Sequence, residues 1–136
     1  MNDIFEKIIT GEIPADIVYE DDIVIAFLDI RPVRKGHTLI VPKVKCENIF
    51  DAEPEVLAHM ITTAQKIART LPKTVGAKGV NILMNNGHEA EQEVPHAHMH
   101  VIPRFVKGEA FVPPQHETYS GEESSTLREK IKSALA

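Results

Sequence analysis

His96-Ala97-His98-Met99-His100-Val101-Ile102 alternates imidazoles with apolar side chains. A period of two belongs to an extended strand, whose residues point by turns to its two faces. A strand from Ala97 to Ile102 would set the three histidines on one side, about 6.5–7 Å apart by strand rise. Ala97, Met99 and Val101 would then face a core. Three imidazoles are costly core filler, because each ring brings polar nitrogens that need partners. A solvated strand face more often carries Thr, Lys or Glu. The stretch therefore predicts chemistry, and two kinds compete. Histidines two apart can share a metal ion, with acids nearby as further ligands. Alternatively, the central imidazole attacks phosphorus while its neighbours orient it and hold phosphate oxygens.

Working outward, Asn85-Asn86-Gly87 is a turn signal, preceded by a strand from Gly79 to Met84. Before that, Leu57, Met60, Ile61, Ala64, Ile67, Ala68 and Leu71 recur at three- and four-residue intervals, predicting a long helix from Pro54 to Leu71. His59 and the two threonines beside it, Thr62 and Thr63, read as surface positions. A strand from His37 to Val41, closed by Pro42, follows the loop from Arg31 to Gly36. Ile17-Val18-Tyr19 and the run from Ile23 to Leu28 form a hairpin around Glu20-Asp21-Asp22. Ile4, Phe5, Ile8 and Ile9 make a short opening helix that Gly11 stops. Beyond Arg104 the chain turns polar, ending in a weak helix from Ser124 to Leu135. Strands and helices are mixed with hairpin-like spacing. This predicts an α+β fold: an antiparallel sheet of about five strands, one long crossover helix and short terminal helices. Residues 1–110 form the main unit, and 111–136 are a tail of the same domain.

The chain has 136 residues, a size typical of one domain that needs no staple. A net charge of −5 argues against a nucleic-acid coat, and aromatic content of 5% without Trp against a single-strand stacking platform. A small anionic substrate is still compatible, since backbone dipoles can hold phosphate in an acidic protein. Cys46, the single cysteine, excludes an internal disulfide and a cysteine-built metal cluster. The opening residues do not resemble a signal peptide, and no run approaches a membrane span. The expectation is a cytoplasmic protein with no membrane or nucleic-acid partner.

The order of blocks decides between the chemistries. His96-x-His98-x-His100 with two apolar residues after it resembles the signature of the histidine triad (HIT) family. The resemblance extends to residues 3 to 9 with Glu12-Ile13-Pro14, to Ala26-Phe27-Leu28-Asp29-Ile30, to the stretch from Gly36 to Lys43, and to Asn85-Asn86-Gly87. It covers about residues 3 to 104 and is nearest the Hint-type nucleotide phosphoramidases. It implies a homodimer joining two sheets, a purine nucleotide substrate and no cofactor. It also implies hydrolysis or transfer of nucleoside monophosphate groups from phosphoramidates or aminoacyl adenylates.

Carried over, His98 matches the nucleophile, His100 the ring at the leaving group, His96 a supporting histidine and His37 the end of a proton relay. Asp29 matches the ribose-binding carboxylate and Asn85 a phosphate or ribose contact. Ile4, Phe5, Ile8, Phe27, Leu28 and Ile30 match the base slot. Gln92 and Val94 complete the substrate-binding set. A neutral imidazole can attack near pH 7, and a covalent intermediate divides one hard displacement into two easier ones.

The sequence departs from the family in two places. Many bacterial members hold zinc with two N-terminal cysteines, a later histidine and the first triad histidine. Here those positions read Asp3, Glu6, Lys45 and His96. No metal is therefore expected, and Lys45 is expected to pair with Asp3, Glu6 or both. Glu91 stands where the family usually has glycine, which puts phosphate affinity in question. The alternatives are a dinucleoside polyphosphate hydrolase, a catalytically weak nucleotide-binding dimer, and a metal-dependent hydrolase built on the histidines.

Overall fold

Alternation decides which way each strand residue faces, and in this protein both faces of the central strands are covered. A computed structural model describes residues 2–110 and 117–135. In chain order the elements are α1 (Ile4–Ile9), β1 (Ile17–Glu20), β2 (Val24–Leu28), β3 (Thr38–Pro42), α2 (Pro54–Thr74), β4 (Gly79–Leu83), β5 (Met99–Arg104) and α3 (Glu123–Leu135). The sheet runs β1-β2-β3-β5-β4, and every neighbouring pair is antiparallel. The expected α+β architecture, with its five strands and long helix between the third and fourth, is what the chain adopts.

Val24, Ala26, Ile40, Met99 and Val101 pack against Met60, Ala64, Ile67 and Leu71 of α2. The alternate residues Ile25, Phe27, Leu39 and Val41 pack against Phe5 and Ile8 of α1. Successive strand side chains point to opposite faces, so α2 and α1 cover opposite sides of the sheet. The register Leu39↔His100 between β3 and β5 then puts His100 on the α1 side. α1 itself starts on a capping box: Asp3 Oδ1 accepts from the Glu6 N–H at 2.8 Å, and Glu6 Oε1 accepts from the Asp3 N–H at 3.1 Å. This pairs two of the helix's orphan donors and fixes where the helix begins.

Four local expectations change. The β5 ladder begins at Met99, so only His100 of the three histidines lies in it. The reason lies in the backbone: the Ala97 N–H bonds the Cys46 carbonyl and the His96 N–H the Val94 carbonyl, both at 2.8 Å. His37 likewise sits just before β3, its N–H held by the Arg34 carbonyl at 3.0 Å. α2 runs through Pro72 to Thr74, where proline should stop it, because a Val75 N–H to Leu71 carbonyl bond at 3.0 Å closes the final turn. Within its stripe Ile61 is exposed and Thr63 buried. Thr63 bonds the His59 carbonyl at 2.8 Å, which removes the cost of burying its hydroxyl.

His59 is not surface decoration either. Its Nε2 meets Asp21 Oδ2 at 2.6 Å, and that same oxygen accepts from the Tyr19 hydroxyl at 2.7 Å. Asp21 Oδ1 takes the N–H groups of Ile23 and Val24, so one carboxylate closes the hairpin turn and ties it to α2. The tail expected from residue 111 starts in 111–116, outside the described residues; the weak helix is present as α3, one residue longer at its start.

Met60 is fully buried at the centre of the α2 face. Truncation there removes apolar contacts and leaves a cavity that close packing fills poorly. Met60→Ala should cost about 2–5 kcal/mol in denaturant unfolding; a loss below about 1 kcal/mol would show that α2 does not carry the core.

Candidate active site

One side of α1, the end of β2, the start of β3 and the loop before β5 converge on a cleft of about 450 Å³. One wall is Ile4, Phe5 and Ile8, facing Phe27, Leu28 and Ile30; His98, His100, Asp29 and Asn85 supply the polar end. An apolar slot ending in a few convergent polar groups is the usual form of a small-molecule site. Ile30 is 84% exposed, so it contributes a rim rather than core.

The four histidines are not equivalent. His98 Nδ1 lies 2.7 Å from the His96 carbonyl oxygen. A carbonyl only accepts, so Nδ1 carries the proton and Nε2 of the neutral ring keeps its lone pair. That ring and Phe5 meet at a steep angle of 70° with centroids 5.0 Å apart, and His100 stands at the same 5.0 Å. Burial, the main cause, lowers the His98 pKa together with the neighbouring His96 ring, against the opposing pull of the His96 carbonyl and Asp29.

His37 and His100 form a directed pair. The Val33 N–H donates to His37 Nδ1 at 3.1 Å, which leaves the proton of a neutral His37 on Nε2. That nitrogen is 2.9 Å from His100 Nδ1, which must accept, and His100 therefore carries its own proton on Nε2. One backbone N–H thus sets the direction of two rings. Burial pushes His100 down to about 4, helped by His98 and His37 and opposed by Asp29. Burial also lowers His37, with Asp29, at 3.8 Å from its Nε2, pulling the other way. Arg34, near the end of the same loop, is held by Glu109 at 2.6 Å, and Glu109 in turn accepts from the N–H groups of Phe105 and Val106.

His96 does not line the cleft; it is wholly buried behind it. Nδ1 faces Asp3 Oδ2 at 3.1 Å and Nε2 faces the Pro42 carbonyl at 2.9 Å. A carbonyl only accepts, so Nε2 donates to Pro42, and Nδ1 is the nitrogen turned to the carboxylate. Asp3 Oδ2 also receives the Lys45 ammonium at 3.0 Å, and Glu6 Oε1 receives it at 3.2 Å. The expected pairing of Lys45 with both acids is present.

Of the residues expected to touch substrate, Val94, Asn85 and Asp29 line the cleft together with the six apolar ones. Gln92 does not. Its amide oxygen accepts from the Gly87 N–H at 2.8 Å and from Asn48 at 3.2 Å, while its nitrogen donates to the carbonyls of Glu47 and Val94. It brackets the loop instead. Leu39, Ile13, Pro14 and Ala15 line the cleft and were not foreseen. Leu39 was open to inference, since it pairs with Phe27 on one side and His100 on the other. Glu91 adopts φ 67° and ψ 27°, the left-handed region in which a glycine is at ease. Its carbonyl lies 3.5 Å from the Asn85 amide, and it lines the polar end with Glu93.

Comparison with known proteins agrees with this geometry. The HIT domain profile matches residues 10–107. The Bacillus subtilis protein hit is 48% identical over 110 residues, covering 81% of this chain and 76% of that one. Adenylylsulfatase HINT3 of Arabidopsis thaliana is 40% identical over 101 residues, 74% of this chain and 51% of the plant protein. A crystal structure of a HIT family member from B. subtilis superposes with a TM-score of 0.89 at 42% identity, over 100% of this chain and 99% of that one. A histidine triad nucleotide-binding protein from Candida albicans gives 0.84 at 34% identity, over 97% and 96%. A zinc-bound histidine triad protein from Mycobacterium smegmatis gives 0.75 at 36%, over 96% of each chain. With this fold and this match over most of its length, the chain belongs to the HIT domain family, whose fold is that of nucleotide-binding hydrolases and transferases.

Proposed function

We propose that this protein cleaves nucleoside phosphoramidates or aminoacyl adenylates to a nucleoside monophosphate through a nucleotidyl-His98 intermediate. The observation that carries this reading is the His98 ring, fixed at Nδ1 by the His96 carbonyl and left with a lone pair at Nε2 inside the cleft. Nε2 attacks phosphorus, and the bond from phosphorus to the leaving nitrogen or oxygen breaks. His100 points its Nε2–H at the departing group, because His37 occupies its other nitrogen, and hydrogen-bonds the charge that develops there; a carboxylate leaves as the anion, and an amine takes its proton from solvent. Water then attacks the phosphorus and loses its proton to solvent, and the bond from phosphorus to His98 breaks, restoring the neutral ring.

Asp29 supports ribose binding, as an acceptor at the cleft whose Oδ1 is steadied by the Arg31 N–H at 2.9 Å. The apolar wall from Ile4 to Ile30 suits a purine, which offers a flat apolar face. A second copy of the chain would complete the sheet at β4, an edge strand in the single chain with Ile82 and Leu83 exposed. The leaving group is best read by comparing turnover of an adenosine phosphoramidate, adenylyl sulfate and diadenosine tetraphosphate; a faster rate on the tetraphosphate would reverse the assignment.

His98→Ala should abolish turnover while leaving binding of a nucleoside monophosphate and the melting temperature close to native. Activity within about tenfold of native, only about 1.4 kcal/mol of barrier, would remove His98 from the role of nucleophile.

The lowered pKa values of His98 and His100 make a second prediction. A depressed pKa preserves the neutral ring as pH falls, so the acid limb of kcat/KM should lie below the ordinary histidine value of 6.5. An apparent pKa at or above 6.5 would mean that burial does not control the attacking ring.

A further inference from the structure

The zinc-bound relative from M. smegmatis raises the question whether this chain has a metal of its own beside the triad. Asp3, Glu6 and His96 bring three ligand-type atoms within 4.8 Å of one another, which on its own would suit a cation. The surrounding chemistry does not. The Lys45 ammonium already lies 3.0 Å from Asp3 Oδ2 and 3.2 Å from Glu6 Oε1. His96 donates its Nε2–H to the Pro42 carbonyl, a partner that a metal-bound histidine also keeps, and turns Nδ1 to Asp3 Oδ2, so it is the ammonium and not this ring that opposes a cation. A dication placed here would also sit against the ammonium. Cys46, next in sequence to Lys45, brings no easy thiolate, because burial and then Asp51 push its pKa up.

We infer that the Lys45 ammonium serves in place of a metal ion, bridging Asp3 and Glu6 and so fastening α1 to the triad in a metal-independent way. The linkage can be followed atom by atom. Asp3 caps α1 with Oδ1 and presents Oδ2 to both Lys45 and His96. His96 offers its backbone carbonyl to His98 Nδ1. α1 supplies Ile4, Phe5 and Ile8 to the cleft. The base-slot wall and the attacking imidazole are thereby referred to one carboxylate. Burial is the largest influence on Asp3 and opposes its charge, but the Glu6 N–H, Lys45 and His96 outweigh it and hold its pKa below the usual value.

The test uses the full chain in three forms, native, Lys45→Met and Lys45→Arg, stripped with a chelator and then exposed to zinc sulfate. Bound zinc is measured by elemental analysis and unfolding by calorimetry. The native and Lys45→Arg proteins should stay essentially metal-free, with melting temperatures indifferent to zinc and to chelator. Lys45→Met keeps the stem of the side chain but loses its charge. It should melt lower in chelator, by roughly 2–5 °C for a chain of this size, and zinc should raise it toward native. A native chain that takes up about one zinc per chain with a higher melting temperature overturns the inference. So does a Lys45→Met protein that melts in chelator at the native temperature. Neither readout depends on which nucleotide the protein cleaves.

Discussion

A single contact organises the site: the His98 ring donates from Nδ1 to the backbone carbonyl of His96, two residues earlier, at 2.7 Å. That bond makes Nε2 the lone-pair nitrogen and fixes the plane in which it points. It is possible only because residues 96–98 leave the β ladder, so that the His96 carbonyl is not taken by a neighbouring strand. The N–H groups of His96 and Ala97 bind Val94 and Cys46 instead. The same departure drops His96 into the interior and lets His98 stand steeply against Phe5. Backbone irregularity here is a way of aiming one side chain.

The rest of the site keeps two buried rings neutral and gives them a direction. Burial does the first, disfavouring the imidazolium of His98 and His100. The Val33 N–H does the second, and its effect passes through His37 to His100 without any charged partner in hydrogen-bonding contact. Linkage gives the cost. Histidines of the unfolded chain take up protons near pH 6.5, whereas folded His100 does so only near 4. The folded state therefore loses stability as pH falls from 6.5 toward 4, so far as this group controls it.

Much of this was legible in the sequence because it rests on side-chain type at fixed spacing. The alternation in β5, the stripe in α2 and the ordered HIT-like blocks placed five strands, the crossover helix and nine of the ten residues named for substrate binding at the cleft. What escaped rests on where backbone groups find partners. Nothing in Ala97 or Cys46 announces that they bond one another, so the strand was started two residues early. Gln92 was taken for a substrate contact, yet its amide is used up by four groups distant in sequence or hidden in the main chain. His59 was read as decoration because its partner, Asp21, lies 38 residues away.

The two departures from the family have opposite physical characters. Glu91 holds a backbone conformation that suits glycine, at a cost of order 1–3 kcal/mol, while its side chain adds charge beside the cleft. Lys45, with Asp3 and Glu6, instead makes a link of opposite charges between α1 and the segment after β3. An ion-pair link has limits that a metal does not share. Asp3 contributes above the ordinary carboxylate value of 3.8, a contribution lost as pH falls through its lowered folded value. Lys45, its pKa raised by Asp3 and Glu6, contributes below 10.5, a contribution lost as pH rises through its raised folded value. Between those bounds both charges are in place, and the link needs no ion from solution.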